Sequence, residues 1–382
     1  MATKNNIPEV DIVVDEAAGV IREVKTDKHL RSKKGHERRV NASIYILLII
    51  MSIVWLCPFV FLVLQSFRGE TGGQVAYVIP KQWTLDNYKF LFAGARVDFS
   101  LLVNGFWNIL WTIVINVAGI TGIVLLLRRK PRNPLETTES NWKMALLVAV
   151  GLLGLNFIRA VDSSNCNFVR WFLNTLTIAL FCAAIQTIMQ LSVSYSLSRI
   201  RFKGRKLLMN ICLVLGMFPG FLTMIVLYYL LKMLGLTQAG AIPGLILISC
   251  ASSGMGYYIS KGFFDTLPKS LDESARIDGA TRFQVFLKII MPMAKPIVIY
   301  TILMAFMGPW GDYVFASYVA FGHKASYNVA VGLYRWVNTN DYQGYFTRFC
   351  AGGVLVAIPI TALFMALQKY YVEGVTGGAV KG

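Results

Sequence analysis

Apolar residues in this chain fall in long unbroken runs rather than in alternating or one-faced patterns. A helix needs about 20 apolar residues to cross about 30 Å of hydrocarbon. Runs of that order occupy residues 44–67, 101–127, 171–197, 207–231, 242–259, 297–319 and 349–371, and a shorter one occupies 142–158. The pattern predicts an all-α polytopic membrane protein with eight spans. Between the runs lie a basic tail over 1–43, a polar loop over 68–100, a loop over 261–295 and a short tail over 373–382.

The polar stretches carry an orientation signal. Arg128, Arg129, Lys130 and Arg132 form one basic cluster, and Arg199, Arg201, Lys203, Arg205 and Lys206 form another with no acidic residue among them. With the basic N-terminal tail inside, eight spans place both clusters inside as well, as the cytoplasmic excess of Lys and Arg requires. Omitting 142–158 puts one cluster outside, so parity supports the short span. Both termini are then cytoplasmic, in a multi-pass protein of the cell membrane.

Composition agrees. Hydrophobic residues are 55% of the 382, charged residues 15%, and mean hydropathy is +0.56. A soluble domain carries about 25% charge, so a soluble enzyme is excluded. The net charge of +17 sits in loops between apolar runs, which points to the bilayer and not to nucleic acid. The Cys residues show no paired metal-ligand spacing, nor do the His residues, and no metal site or catalytic residue is expected. Asp312 is the main ionisable group within a run, which disfavours an ion-coupled carrier working through intramembrane carboxylates. Prolines recur in or beside the runs, either as tolerated kinks or as breaks lining a pathway. Pro219 and the Pro309-Trp310-Gly311 segment are the better pathway candidates.

The 261–295 loop is the most informative segment. Ser270-x-x-Glu273 has the form of a capping box, and Gly279 stands where a helix C-terminus wants a left-handed residue. Thr281-x-x-Gln284 has the form of a second box, opening a helix that Pro292 is expected to stop. Two short capped helices joined at one glycine predict an elbow whose face mixes Leu271, Ala275, Ile277 and Phe283 with Asp272, Glu273, Arg276 and Asp278. Such a face suits either a soluble partner's groove or the lipid surface.

At these residues the chain resembles a known family. Glu273-Ser274-Ala275, then Gly279, then Ile289-x-Met291-Pro292 is similar to the EAA coupling motif of binding-protein-dependent ABC importer permeases, with Ser274 and Met291 departing mildly from it. Asn174-Thr175-Leu176, Arg201-Phe202-x-Gly204-Arg205, Met217-Phe218-Pro219, Lys261-Gly262-Phe263-Phe264, Ala330-Val331-Gly332-Leu333 and the Gly374–Gly382 ending extend the resemblance to the maltose/maltodextrin, MalG-like type. It implies a type I permease core of six helices: the first span at 44–67 and a core domain over 171–372 that contains the 261–295 coupling loop. The 101–160 stretch is then an inserted pair of transmembrane helices, and its even number preserves the orientation downstream.

The resemblance also implies roles. Glu273, Ser274, Ala275, Asp278, Gly279 and Ala280 would meet a homodimeric cytoplasmic ATPase, with Glu273, Ala275 and Gly279 at the heart of the contact. Gly377, Gly378 and Lys381 would reach between its two subunits. Gly322, His323, Lys324, Ala325 and Ser326 would form a loop toward an extracytoplasmic sugar-binding protein, or an ordinary surface loop. The pathway would be shared with a second, MalF-like permease, and Pro219, Trp310, Asp312 and Tyr313 are the local candidates for it, although packing competes as the role of Trp310 and Tyr313. ATP and Mg would be bound by the partner ATPase and no cofactor by this chain, which contains no Gly-Lys dipeptide and hence no phosphate loop of that type. Maltose and malto-oligosaccharides are the expected cargo. Galacto-oligosaccharides or a non-sugar cargo are alternatives within the family, and an ion-coupled secondary carrier is the alternative outside it.

Overall fold

The computed structural model describes residues 27–70, 77–128, 145–146, 149, 151–154, 156–157, 160–163, 168–251, 254–338 and 342–379. The chain divides into two units, 1–61 and 62–382. What is described of the first is one helix, α1 (Asp27–Ser66), which continues into the second unit. The apolar window within its Val40–Ser66 stretch buries nothing, as expected of a helix whose solvent is lipid, while Gln65 and Ser66 at its end are buried.

The second unit is almost entirely helical. The helix α2 (Asp86–Phe92) lies within the 68–100 loop, where Asn87 donates to the carbonyls of Ser66 and Arg68 and accepts from Thr347. Strand β1 (Ala95–Val97) pairs antiparallel with β2 (Val161–Ser163), Ala95 opposite Ser163 and Val97 opposite Val161. Between the strands runs α3 (Phe106–Arg128). Asn116 and Asn156 exchange side-chain amide bonds of 3.3 and 3.1 Å, a polar pair of the kind that fixes helix register in lipid.

The core is built on α4 (Phe168–Arg199), which carries a π turn at Cys182–Gln186. Then follow α5 (Arg205–Gly216), α6 (Gly220–Met233), α7 (Ala241–Ala251) and α8 (Gly254–Thr266). The hairpin supplies α9 (Ser270–Ile277) and α10 (Arg282–Met293). The chain ends with α11 (Lys295–Gly311), α12 (Val314–Ala320), α13 (Val329–Asn338) and α14 (Tyr342–Ala379). One apolar core gathers α4, α7, α11, α12 and α13 around Phe168, Trp171, Phe306 and Trp310. A second, smaller core lies under the hairpin.

Several predicted spans are not single rods. The 207–231 run is split, and α5 meets α6 at 102°. Pro219 explains the break: it has no N–H to continue the ladder, and it drives the preceding residue out of the helical region. The 297–319 run stops at Gly311, where Asp312 turns extended before α12 begins. Among the described residues, four helices are long and apolar enough to cross a membrane, or up to seven if each bent pair is one span. The predicted eight are therefore not reached among the described residues, and most of 142–158 lies outside them.

Candidate functional site

Half of the hairpin's local chemistry matches its sequence pattern. The Thr281 box forms completely: the Thr281 N–H donates to Gln284 Oε1 at 2.9 Å, and the Gln284 N–H donates to Thr281 Oγ1 at 3.3 Å. Gly279 takes φ +82°. Its N–H donates to the Arg276 carbonyl at 3.1 Å and the Ala280 N–H to the Ala275 carbonyl at 3.0 Å. This double closure is a Schellman motif, and it satisfies carbonyls that the helix end would otherwise leave open.

Two expectations are corrected. Ser270 is the first residue of α9, the N-cap is Lys269, and no side chain caps the helix, so the Ser270–Glu273 box does not form. Glu273 is left exposed rather than folded back on its own backbone. Pro292 does not stop its helix, because a π turn over Phe286–Ile290 directly precedes it and resets the ladder. The chain turns instead at Ala294, where α10 meets α11 at 86°.

The seat of the hairpin is polar on one side and aromatic on the other. Along α4, Gln190, Ser194 and Ser198 recur every four residues and face α8. Gln190 donates to the Gly256 carbonyl and to Ser260, Ser194 to the Tyr257 carbonyl, and Ser198 to Asp265 at 2.6 Å. One step further along α4, Arg199 reaches the hairpin itself. Its Nε lies 3.3 Å from Asp272 Oδ2, and its Nη2 donates to the Leu267 carbonyl at 2.8 Å. Tyr195 donates its hydroxyl to Asp272 Oδ1 at 2.9 Å, while its ring packs on Phe264 and Phe286.

This seat divides the family-implied contact residues. Ala275 is 7% exposed and packs within the small core of Tyr195, Phe264 and Phe286. It therefore fixes the hairpin from beneath instead of facing outward with Glu273 and Gly279. Ala280 is half-buried against the same core, and Glu273, Ser274, Asp278 and Gly279 are exposed. The most exposed apolar groups of the hairpin are Ile277, 86% exposed, and Phe283, 69% exposed.

At the other end of α4, the 322–326 loop is strapped down. Trp171 Nε1 donates to the Lys324 carbonyl at 2.9 Å, and Asn174 Nδ2 donates to the carbonyls of Ala325 and Tyr327 at 2.8 and 2.9 Å. His323 Nδ1 and Ser326 Oγ are 2.8 Å apart, and Ser326 is buried. Gly322 and Lys324 are exposed. Sequence reading singled out Asn174 only as part of a motif. A lone amide near the start of an apolar run is the signal that it has carbonyls to hold.

The pathway candidates are scattered. Asp312 accepts the Phe315 N–H at 3.2 Å and starts α12, while its carbonyl accepts from Asn328 at 2.6 Å. It also lines a cavity of about 230 Å³ with Gln186, Ser249 and Asn328. Trp310 is buried edge-to-face against Phe172, and Tyr313 lies against Tyr334, so both rings are engaged by packing. Pro219 stands exposed at the elbow between α5 and α6. Gly377 and Gly378 fall on the backbone of α14, and Lys381 lies outside the described residues. Among the described residues no cluster of His, Cys, Asp or Glu could hold a metal ion.

Comparison with known proteins places this arrangement. Residues 190–377 match the model of the binding-protein-dependent transport system inner membrane component. The chain is 38% identical over 219 residues to the galactooligosaccharides transport system permease protein GanQ of Bacillus subtilis, covering 57% of this chain and 76% of that protein. It is 38% identical over 222 residues to the maltodextrin transport system permease protein MalD of Streptococcus pneumoniae, covering 56% and 75%. To the maltose/maltodextrin permease MalG of Vibrio vulnificus it is 30% identical over 259 residues, covering 66% and 83%. A chain of a bacterial ABC transporter that imports the acidic polysaccharide alginate shares the fold at TM-score 0.58 and 18% identity, covering 88% of this chain and 98% of that one. The matched region contains α8, the whole hairpin and its seat, and with relatives at these identities and coverages the chain belongs to the inner-membrane permease family of binding-protein-dependent ABC importers.

Proposed function

We propose that this chain is one of two permease subunits of an ATP-driven importer of oligosaccharides, and that the 261–295 hairpin is its lever. The observation that carries the reading is the construction of the hairpin. A Schellman turn and a capping box make its tip rigid. Buried Ala275 and the Arg199–Asp272–Tyr195 network fasten it to α4, while Glu273, Ile277 and Phe283 project outward. A push on the tip by a cytoplasmic ATPase dimer is then delivered to α4, whose far end holds the 322–326 loop. One helix thus joins the ATPase side to the side where a sugar-binding protein docks. The chain itself performs no covalent chemistry; the partner ATPase binds ATP and Mg. Both termini and the hairpin are cytoplasmic.

Malto-oligosaccharides are the favoured cargo, given the maltodextrin permeases among the relatives. The equal identity to a galactooligosaccharide permease gives a second reading for cargo alone. The test is co-purification of this chain with a second permease and an ATPase, followed by ATP hydrolysis in the presence of the binding protein. Stimulation by malto-oligosaccharides and not by galacto-oligosaccharides is expected, with Gly279→Asp abolishing it. Transport by this chain alone, without nucleotide, refutes the reading.

A further inference from the structure

A cavity of about 630 Å³ opens between the hairpin, the end of α4 and the start of α5, and its wall carries six cations: Arg199, Arg201, Arg205, Lys269, Arg276 and Arg282. Three carboxylates share the wall, Asp265, Asp272 and Glu273. Two of these are already engaged: Asp272 pairs with Arg199, and Asp265 pairs with Lys261 and accepts from Ser198. Arg201, Arg205, Lys269, Arg276 and Arg282 share the wall with Glu273, and Arg205 also lies within electrostatic reach of Asp265, so cations outnumber carboxylates there.

The kind of cation points to an oxyanion. Five of the six are arginines, of which Arg199 is already committed to Asp272 and the Leu267 carbonyl. Guanidinium groups bind phosphate through two parallel bonds. A second observation concerns what lies beside the cavity. Past Arg205, α5 exposes Leu207, Leu208, Ile211, Val214 and Leu215. A ligand with an anionic head and an acyl tail matches a basic cavity bordered by a helix with so apolar a surface.

We infer that this cavity is a site for the phosphodiester headgroup of an anionic phospholipid of the cytoplasmic leaflet. Basic pockets between transmembrane helices on the cytoplasmic side take such headgroups. The bound headgroup bridges the end of α4, the start of α5 and the hairpin, and so steadies the lever at its root. The inference rests on the cytoplasmic placement of the hairpin proposed above.

The test uses the assembled transporter, with ATPase and second permease, in nanodiscs of mixed phosphatidylglycerol and phosphatidylcholine. Native mass spectrometry reads which lipid is retained, and tryptic cleavage at the hairpin reads its protection. The wild type is expected to retain phosphatidylglycerol selectively. The triple variant Arg201→Gln, Arg205→Gln, Arg282→Gln is expected to lose that selectivity by about tenfold or more, in line with the attraction each basic group exerts on an anionic lipid. Lys232→Gln, which removes a positive charge from α6, should leave it unchanged. Equal selectivity in the wild type and the triple variant overturns the site, as does equal loss in Lys232→Gln. Protection by inorganic phosphate in purely zwitterionic discs, equal to that by phosphatidylglycerol, overturns the lipid as the source of the anion. Loss of the ATPase from the triple variant in either lipid, with no lipid selectivity in the wild type, assigns the cavity to carboxylates of the ATPase and overturns it too. Because ATPase association is read in the same preparation, selectivity absent while the ATPase stays bound counts against this site and not against the proposed function.

Discussion

Asp272→Ala probes the seat of the hairpin most directly. The carboxylate is held by Arg199 at 3.3 Å and by the Tyr195 hydroxyl at 2.9 Å, with side-chain exposures of 6% for Arg199 and 15% for Asp272. Removing one member of a buried ion pair costs about 3–5 kcal/mol, because the other charge is left without compensation. The lower end applies here, since Asp272 retains some contact with solvent and Arg199 retains its bond to the Leu267 carbonyl. A loss of about 3 kcal/mol multiplies the unseated population of the hairpin by about a hundred. Proteolysis in the fast-exchange regime tracks that population, so tryptic cleavage at Arg276 or Arg282 in the assembled transporter should accelerate by about the same factor, while sugar-stimulated ATP hydrolysis falls. The apolar pair Arg199→Met, Asp272→Leu should recover most of the protection, as replacing both partners removes the stranded charge. Cleavage within twofold of wild type in Asp272→Ala, or a double variant no better than the single ones, would refute the claim that this pair seats the lever.

Three further outcomes follow from the geometry. Gly279→Ala places a side chain at φ +82°, which costs about 1–2 kcal/mol; Gly279→Asn should recover part of the ATPase coupling lost, because Asn tolerates the left-handed region, and equal coupling in Ala and Asn would count against a conformational role. Gly332→Ala would put a methyl 1.9 Å from Trp171 Cε3, so the indole that holds the Lys324 carbonyl must move; a lower thermal midpoint of the detergent-solubilised complex is expected, with a loss of about 1–3 kcal/mol typical of overpacking. Asn174→Leu removes both carbonyl bonds to the 322–326 loop at about 1 kcal/mol or more each, and should lower stimulation by the binding protein while leaving basal ATP hydrolysis intact.

Much of this was legible in the residues. Runs of apolar character located helices, and the Thr281–Gln284 box and Gly279 located the hairpin's turn, because caps and left-handed residues are decided within four positions. What stayed hidden is decided between segments. Ala275 reads as part of an exposed motif, and only the folding of α9 onto Tyr195, Phe264 and Phe286 turns it inward. Asp272 looks like any surface acid until Arg199, 73 positions earlier in the sequence, is brought beside it. Helix breaks are intermediate: Pro219 announces one, but continuing past Pro292 depended on a π turn that no residue pattern marks.

Strands β1 and β2 bring together the two ends of the segment that runs between them. Val97 stands directly opposite Val161, so the polypeptide leaves the permease body and returns to it across a single strand spacing, about 5 Å. What lies between includes α3 and carries its own fastening in the Asn116–Asn156 pair. A segment whose two ends are neighbours behaves as a cassette: its length can change without shifting the helices on either side, by the geometry that serves surface loops of soluble proteins.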